Sequence, residues 1–241
     1  MWHNQIPDWV TRNGDGTLVS ANTLYRNIFD HISSVAGRYS GKIKGWDVVN
    51  EAILDDGSYR ENDFYKISAD EYIFKSFEIA NKIDPNAELY YNDFSMYKPE
   101  KCDAAIRIAN KILERGLRID GIGLQAHWGL DYPSIDEIET SILKIHEAGF
   151  RVHFTELDID VLPNLWEIEG ADLSDNFKSN DKLNPYKSSL PDSISDLLSD
   201  RYTEIFELFD KHNDKIDRVT FWGLSDGHSW KNDWPAKGRT N

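Results

Sequence analysis

The chain has 241 residues, the right order for one α/β domain with a sizeable core. Its 27 Lys and Arg against 42 Asp and Glu give a formal charge of −15, a field that repels nucleic acid and anionic membrane but is indifferent to a neutral polymer. The one cysteine, Cys102, excludes an internal disulfide and a cysteine metal cluster. No run of about 18 apolar residues exists and no basic stretch leads into an apolar core near Met1, so neither a membrane span nor a signal peptide is expected in these residues.

Taken in chain order, Asn13-Gly14-Asp15-Gly16 has the look of a calcium loop, but no suitably placed glutamate follows and the segment reads as a turn. Leu24, Ile28, Ile32 and Val35 recur at helical spacing. Residues 43–50 form a short apolar run that reads as a strand, and similar runs follow at 88–92, 119–124, 152–157 and 218–223. Between them Ile106, Ala109 and Leu113 mark another helix. Ser68 with Glu71 and Ser134 with Glu137 both fit a capping box, and Gly116 and Gly149 fit helix ends. Strands alternating with helices predict βαβ units and a parallel sheet. Residues 163–200 break the rhythm: the segment is polar, acidic and punctuated by Pro185 and Pro191, and reads as a long loop that could shape one wall of a cleft.

Glu51 closes Gly45-Trp46-Asp47-Val48-Val49-Asn50, and Glu156 lies inside Val152-His153-Phe154-Thr155-Glu156-Leu157-Asp158. Both read as carboxylates at strand ends, where the loops of an alternating barrel build its open face. Two carboxylates converging there can divide the work of a glycosidase into acid/base and nucleophile. The plain alternative is a pair of solvated strand-end charges. Eight Trp and eleven Tyr supply flat apolar faces for stacking on sugar rings, although most are expected to pack the core.

Trp46-Asp47-Val48-Val49-Asn50-Glu51, Gln125-Ala126-His127, Thr155-Glu156-Leu157-Asp158 and Phe221-Trp222-Gly223, in that order, resemble family 10 glycoside hydrolases, the endo-β-1,4-xylanases. The likeness spans the chain, since Trp2-His3-Asn4-Gln5 resembles the family's third strand and Gly238-Arg239-Thr240-Asn241 the stretch after its eighth. It implies a TIM (β/α)8 barrel, retaining hydrolysis of internal bonds in xylan or xylooligosaccharides, no cofactor or metal, and a secreted, cell-surface or periplasmic placement. Glu51 would be the acid/base and Glu156 the nucleophile, with His127 holding Glu156 and Asp158 orienting His127. By the same resemblance Asn50 bonds the sugar 2-hydroxyl, Gln125 adds a polar contact, Trp222 and Trp230 wall the non-reducing side, and Trp2 and Gln5 match positions after the third strand. Tyr91, Asn92 and Phe94 either line the leaving-group side or pack the core, and His3 receives no role.

Residues 1–241 thus read as a partial catalytic barrel. Met1 stands where the family's third strand is already under way, so strands three to eight are expected and the first two strands and last helix are not. The fragment alone is expected to be poorly soluble and weakly active or inactive, with an upstream segment or an inserted carbohydrate-binding module of the parent chain as its natural partner. Two other classes compete. A metal-dependent barrel hydrolase would want paired His-x-His, which is lacking among the seven histidines, and EDTA sensitivity would reveal it. A sugar-binding protein without turnover would need the aromatics but neither glutamate, and a reducing-sugar assay separates it.

Overall fold

The structure, a computed structural model, describes residues 1–162, 184–186 and 188–232. Six strands, β1 (Gly45–Asn50), β2 (Glu88–Asp93), β3 (Gly121–Leu124), β4 (His127–Gly129), β5 (Arg151–Asp160) and β6 (Ile216–Phe221), lie in one sheet. All of their pairings are parallel. Among the described residues α1 (Ala21–Tyr39) precedes β1, and α2 (Asp63–Ser68), α3 (Glu71–Ile83), α4 (Pro99–Glu114), α5 (Ile135–Glu147) and α6 (Asp192–Lys211) lie between strands. Parallel strands demand crossovers, and the crossover helices cover the sheet, so its residues are apolar toward them. Leu89, Ile122, Val152 and Phe154 are accordingly fully buried. Phe154 stacks on Phe209 of α6 with ring centroids 4.2 Å apart, which ties that last helix to β5. The sheet is open: among the described residues β6 pairs with β5 alone, and the expected third strand is reduced to an isolated bridge between Trp2 and Asn50.

Four expectations need correction. The loop expected over 163–200 ends sooner, because α6 begins at Asp192; residues 163–183 and 187 lie outside the described residues, as does Gly238-Arg239-Thr240-Asn241. Ser68 starts no helix. It is the last residue of α2, where its hydroxyl donates to Phe64 O at 3.1 Å, and α3 begins after Asp70 with no side-chain cap. The buried stripe of α1 continues to Ala36 rather than Val35, and that of α4 runs through Ala105, Ile108 and Ile112 while Leu113 is exposed. An apolar residue one position off the stripe keeps an apparently helical spacing in the sequence, which is why Val35 and Leu113 misled.

The cap at Ser134 forms as expected, with Glu137 N donating to Ser134 Oγ at 3.3 Å and Ser134 N to Glu137 Oε2 at 2.8 Å. Gly116 and Gly149 follow α4 and α5 at φ 72° and 90°, left-handed values natural to a glycine after a helix end. At the early turn Asp15 Oδ1 accepts from Thr17 N at 3.0 Å, which closes a loop with no call for an ion. Losing a capping side chain costs about 0.5–2 kcal/mol. Ser134→Ala is expected to lower stability by that amount and Ser68→Ala by less than about 0.5 kcal/mol. Thermal denaturation of the two variants checks the contrast.

Candidate active site

The site grows from the C-terminal ends of neighbouring strands. Asn50 of β1 pairs in register with Asn92 of β2, and Asn92 with Gly123 of β3, so the three lie abreast. A Cβ at Gly123 would fall 2.4 Å from Asn92 Oδ1, so only glycine leaves room for that amide. Asn92 Nδ2 donates to Asn50 Oδ1 at 3.0 Å and to Glu156 Oε1 at 3.1 Å. Gln125 Nε2 donates to the same Asn50 oxygen at 3.1 Å and to Glu51 Oε1 at 3.0 Å. Glu51 and Glu156 are therefore the two ends of one hydrogen-bond chain that runs through three amides.

Glu51 directly follows β1, as expected, at φ 60°. Glu156 does not end a strand. β5 continues to Asp160, and Glu156 sits in a gap of its ladder: β3 pairs it as far as Phe154, and β4 takes over at Asp158. Between those pairs β5 carries three residues where its neighbour carries two, Gln125 and Ala126. Such a bulge re-aims side chains. It explains how consecutive residues, which normally point to opposite faces, both reach Asn92: Thr155 Oγ1 donates to Asn92 Oδ1 at 2.7 Å while Glu156 accepts from its Nδ2. His127 does not close the run of residues 119–124 but opens the separate β4, after Ala126 at φ 64°.

His127 stands between two carboxylates. Its Nε2 is 3.2 Å from Glu156 Oε2 and its Nδ1 2.9 Å from Asp158 Oδ1. A neutral imidazole has one N–H and could satisfy only one of them, whereas an imidazolium donates to both. Burial opposes the charged ring, but the bonds to Asp158 and Glu156 outweigh it and hold His127 above its ordinary value. For Asp158, burial is likewise outweighed by the His127 bond and by the charge of Lys231, so its carboxyl lies below the usual range. Lys231 Nζ is 2.9 Å from Asp158 Oδ1, and Trp230 Nε1 donates to Asp158 Oδ2 at 2.9 Å.

The structure brings Glu51, Glu156, Asn50, Gln125, His127, Asp158 and Trp230 into this network. The Trp230 ring meets His127 edge-on, 5.0 Å between centroids. Trp222 stands outside it with its ring about half exposed, anchored by its backbone N–H on Leu157 O at 3.1 Å. Trp2 is held beside the site by its bridge to Asn50, with an indole N–H that meets no acceptor among the described residues, and Gln5 is exposed at φ 55°. Tyr91 is wholly buried and belongs to the support beneath Glu51. Sequence reasoning missed the Asn92 bridge, whose signal was its position at a strand end abreast of Asn50. It also missed Lys231, for which adjacency to Trp230 was the only pointer.

The family model of glycosyl hydrolase family 10 matches residues 1–240. An endo-1,4-beta-xylanase A of Xylanibacter ruminicola is 44% identical over 241 residues, covering all of this chain and 65% of that protein. An endo-1,4-beta-xylanase of Geobacillus stearothermophilus is 36% identical over 246 residues, and the chain covers 69% of it. Among solved structures, a GH10 endoxylanase retrieved from sugarcane soil metagenome matches with TM-score 0.91 at 42% identity, over 100% of this chain and 68% of that one. The xylanase XynB from Paenibacillus barcinonensis, complexed with a conduramine derivative, matches with TM-score 0.86 at 33% identity, again over 100% and 68%. The chain thus spans about two thirds of the length of these relatives, and its described strands form an open portion of a (β/α)8 barrel. With this agreement in both sequence and backbone, the chain belongs to glycosyl hydrolase family 10.

Proposed function

We propose that the protein carrying this chain hydrolyses internal β-1,4-xylosidic bonds of xylan with retention, Glu156 acting as nucleophile and Glu51 as acid/base. The observation that supports this best is the chain of amides joining two carboxylates whose surroundings differ. Glu156 accepts at both oxygens, from Asn92 and from His127, as an ionised carboxylate can. Glu51 accepts from Gln125 and from Asn50 at the same oxygen, Oε1, which leaves Oε2 to face the leaving oxygen.

In the first step a Glu156 oxygen attacks the anomeric carbon and the bond to the leaving oxygen breaks. That oxygen takes the Glu51 proton as its electron pair departs. In the second, Glu51, now a carboxylate, takes a proton from water as the water displaces Glu156. Asn50 has its oxygen occupied by two donors, and its Nδ2, which reaches Glu51 Oε1 at 3.5 Å, keeps a second N–H for a sugar 2-hydroxyl. Trp222 and Trp230 present aromatic surface for the sugar rings, with Trp2 and Gln5 in the segment that Trp2 bridges to Asn50. Xylan is a neutral polymer, compatible with the acidic surface, and its size fits an enzyme working outside the cell. No helix among the described residues is long and apolar enough to cross a membrane.

Proton NMR of the first sugar released tests the proposal: a β product is expected, and an α product would exclude double displacement. Glu156→Ala is expected to abolish turnover while oligosaccharide binding persists. Glu51→Ala removes general acid help, about 10²–10⁴-fold, on xylan. It spares the first step on an aryl xylobioside, whose leaving group needs no proton. Equal losses of kcat/KM, the measure of that first step, on both substrates would contradict the assignment.

The charged His127 gives a pH signature. Its folded value is raised above the ordinary 6.5, so its stabilisation is complete below about pH 6.5 and is lost as pH rises through the folded value. Asp158, held low, stays ionised across that window. The melting temperature of the parent protein should therefore exceed that of His127→Asn most at the acid end of this window, with the gap narrowing on the alkaline side. A gap independent of pH would show a neutral ring.

A further inference from the structure

We propose that Tyr91 and Asp93 are positioning residues for Glu51, acting through the peptide that follows it; this rests on reading Glu51 as the acid/base. Glu51 is not glycine, yet its φ is 60°, a conformation that persists only where the surroundings over-determine it. Three hydrogen bonds do so. Glu51 N donates to Asn92 O at 2.9 Å, Arg60 Nε donates to Glu51 O at 3.1 Å, and Ala52 N donates to Tyr91 Oη at 3.1 Å. The first two are a strand-type bond and a surface-reaching guanidinium. The third is built entirely from buried groups.

Tyr91 can accept from Ala52 reliably only if its own proton is directed elsewhere. That proton goes to Asp93 Oδ2 over 2.6 Å, the short distance of a charge-assisted bond. Asp93 is wholly buried, and its other oxygen receives Lys101 Nζ and Phe94 N, each at 2.9 Å. Lys101 comes from α4 and is also wholly buried. It lies 3.5 Å from the centre of the Phe94 ring and reaches Asp55 Oδ1 at 3.1 Å, on the loop that follows Glu51.

An ion pair taken this far from water is a weak source of stability, since desolvation offsets its attraction. Its geometry has a clearer use. Lys101 fixes Asp93, Asp93 fixes the Tyr91 hydroxyl, and the hydroxyl fixes the Ala52 N–H, so the peptide after the acid cannot rotate. A general acid must meet the leaving oxygen within hydrogen-bond reach, and a misplacement of about 1 Å can cost ~10²-fold.

The test compares Tyr91→Phe and Asp93→Asn with Glu51→Ala on xylooligosaccharides and on an aryl xylobioside with an activated leaving group. The expected result is a fall in kcat/KM, which reports the steps up to cleavage of the glycosidic bond, roughly 10–10²-fold larger on the unactivated substrate than on the aryl substrate. A purely structural role would lower both alike, and equal losses would overturn the proposal. If Glu51→Ala itself fails to discriminate between the substrates, the acid/base reading falls; if it discriminates and the two variants do not, only the positioning role falls. A second measurement needs no turnover. Hydrogen exchange at the Ala52 amide should quicken in Asp93→Asn at least about tenfold, the equivalent of ~1.4 kcal/mol, while Leu89 and Ile122 amides hold their rates. Unchanged protection at Ala52 would also overturn it.

Discussion

A buried amide must find partners inside the protein, and at the ends of these strands the partners are other site residues. Asn92 and Gln125 are almost completely removed from solvent. Leaving either with an unmet donor would cost about 1–3 kcal/mol. Their donors go to Asn50, Glu51 and Glu156, so the bonds that satisfy the fold also set the two carboxylates. The geometry of the two carboxylates and the folding of the strand ends are here one requirement. This also explains Gly123, which contributes no side chain to the site and matters because anything larger would displace Asn92.

The same strand ends hold most of the unusual backbone. Of the five non-glycine residues with positive φ among the described residues, four lie at or just past a strand end or bridge on this face: Gln5, Glu51, Ser95 and Ala126. Each costs of order 1–3 kcal/mol. The apolar core beneath, with Phe64, Phe74, Phe77 and Phe154 almost wholly buried, is large enough to sustain that cost. A sequence selected only for stability would relax such residues, and Glu51 would leave its place with them.

Much of this was legible in the sequence, for identifiable reasons. Strands covered by helices must be apolar runs, so 43–50, 88–92, 119–124, 152–157 and 218–223 stood out, and each overlaps an observed strand. Glu51 and Glu156 were visible because ionisable residues interrupting or closing such runs are conspicuous. Legibility failed where meaning depends on neighbours distant in the chain. Ser68 and Glu71 have the spacing of a cap, but a second short helix intervenes and ends at Ser68. Tyr91, Asp93 and Lys101 lie on two elements whose mutual approach no local pattern encodes. The bulge in β5 leaves no mark in composition at all; only the pairing with β3 and β4 exposes it.

The two-residue link between β3 and β4 has a consequence for how this chain can change over evolutionary time. Its length is matched against three residues of β5. Removing one residue from the link would leave β3 free to pair as before, and β4 could find a new register, so the fold could survive. Successive strand residues face opposite ways, however, and the imidazole would then turn from Glu156 toward the helical layer. Insertions and deletions, usually tolerated between strands, are barred here by chemistry while architecture would permit them, so this short link should keep its length even where its residue types drift.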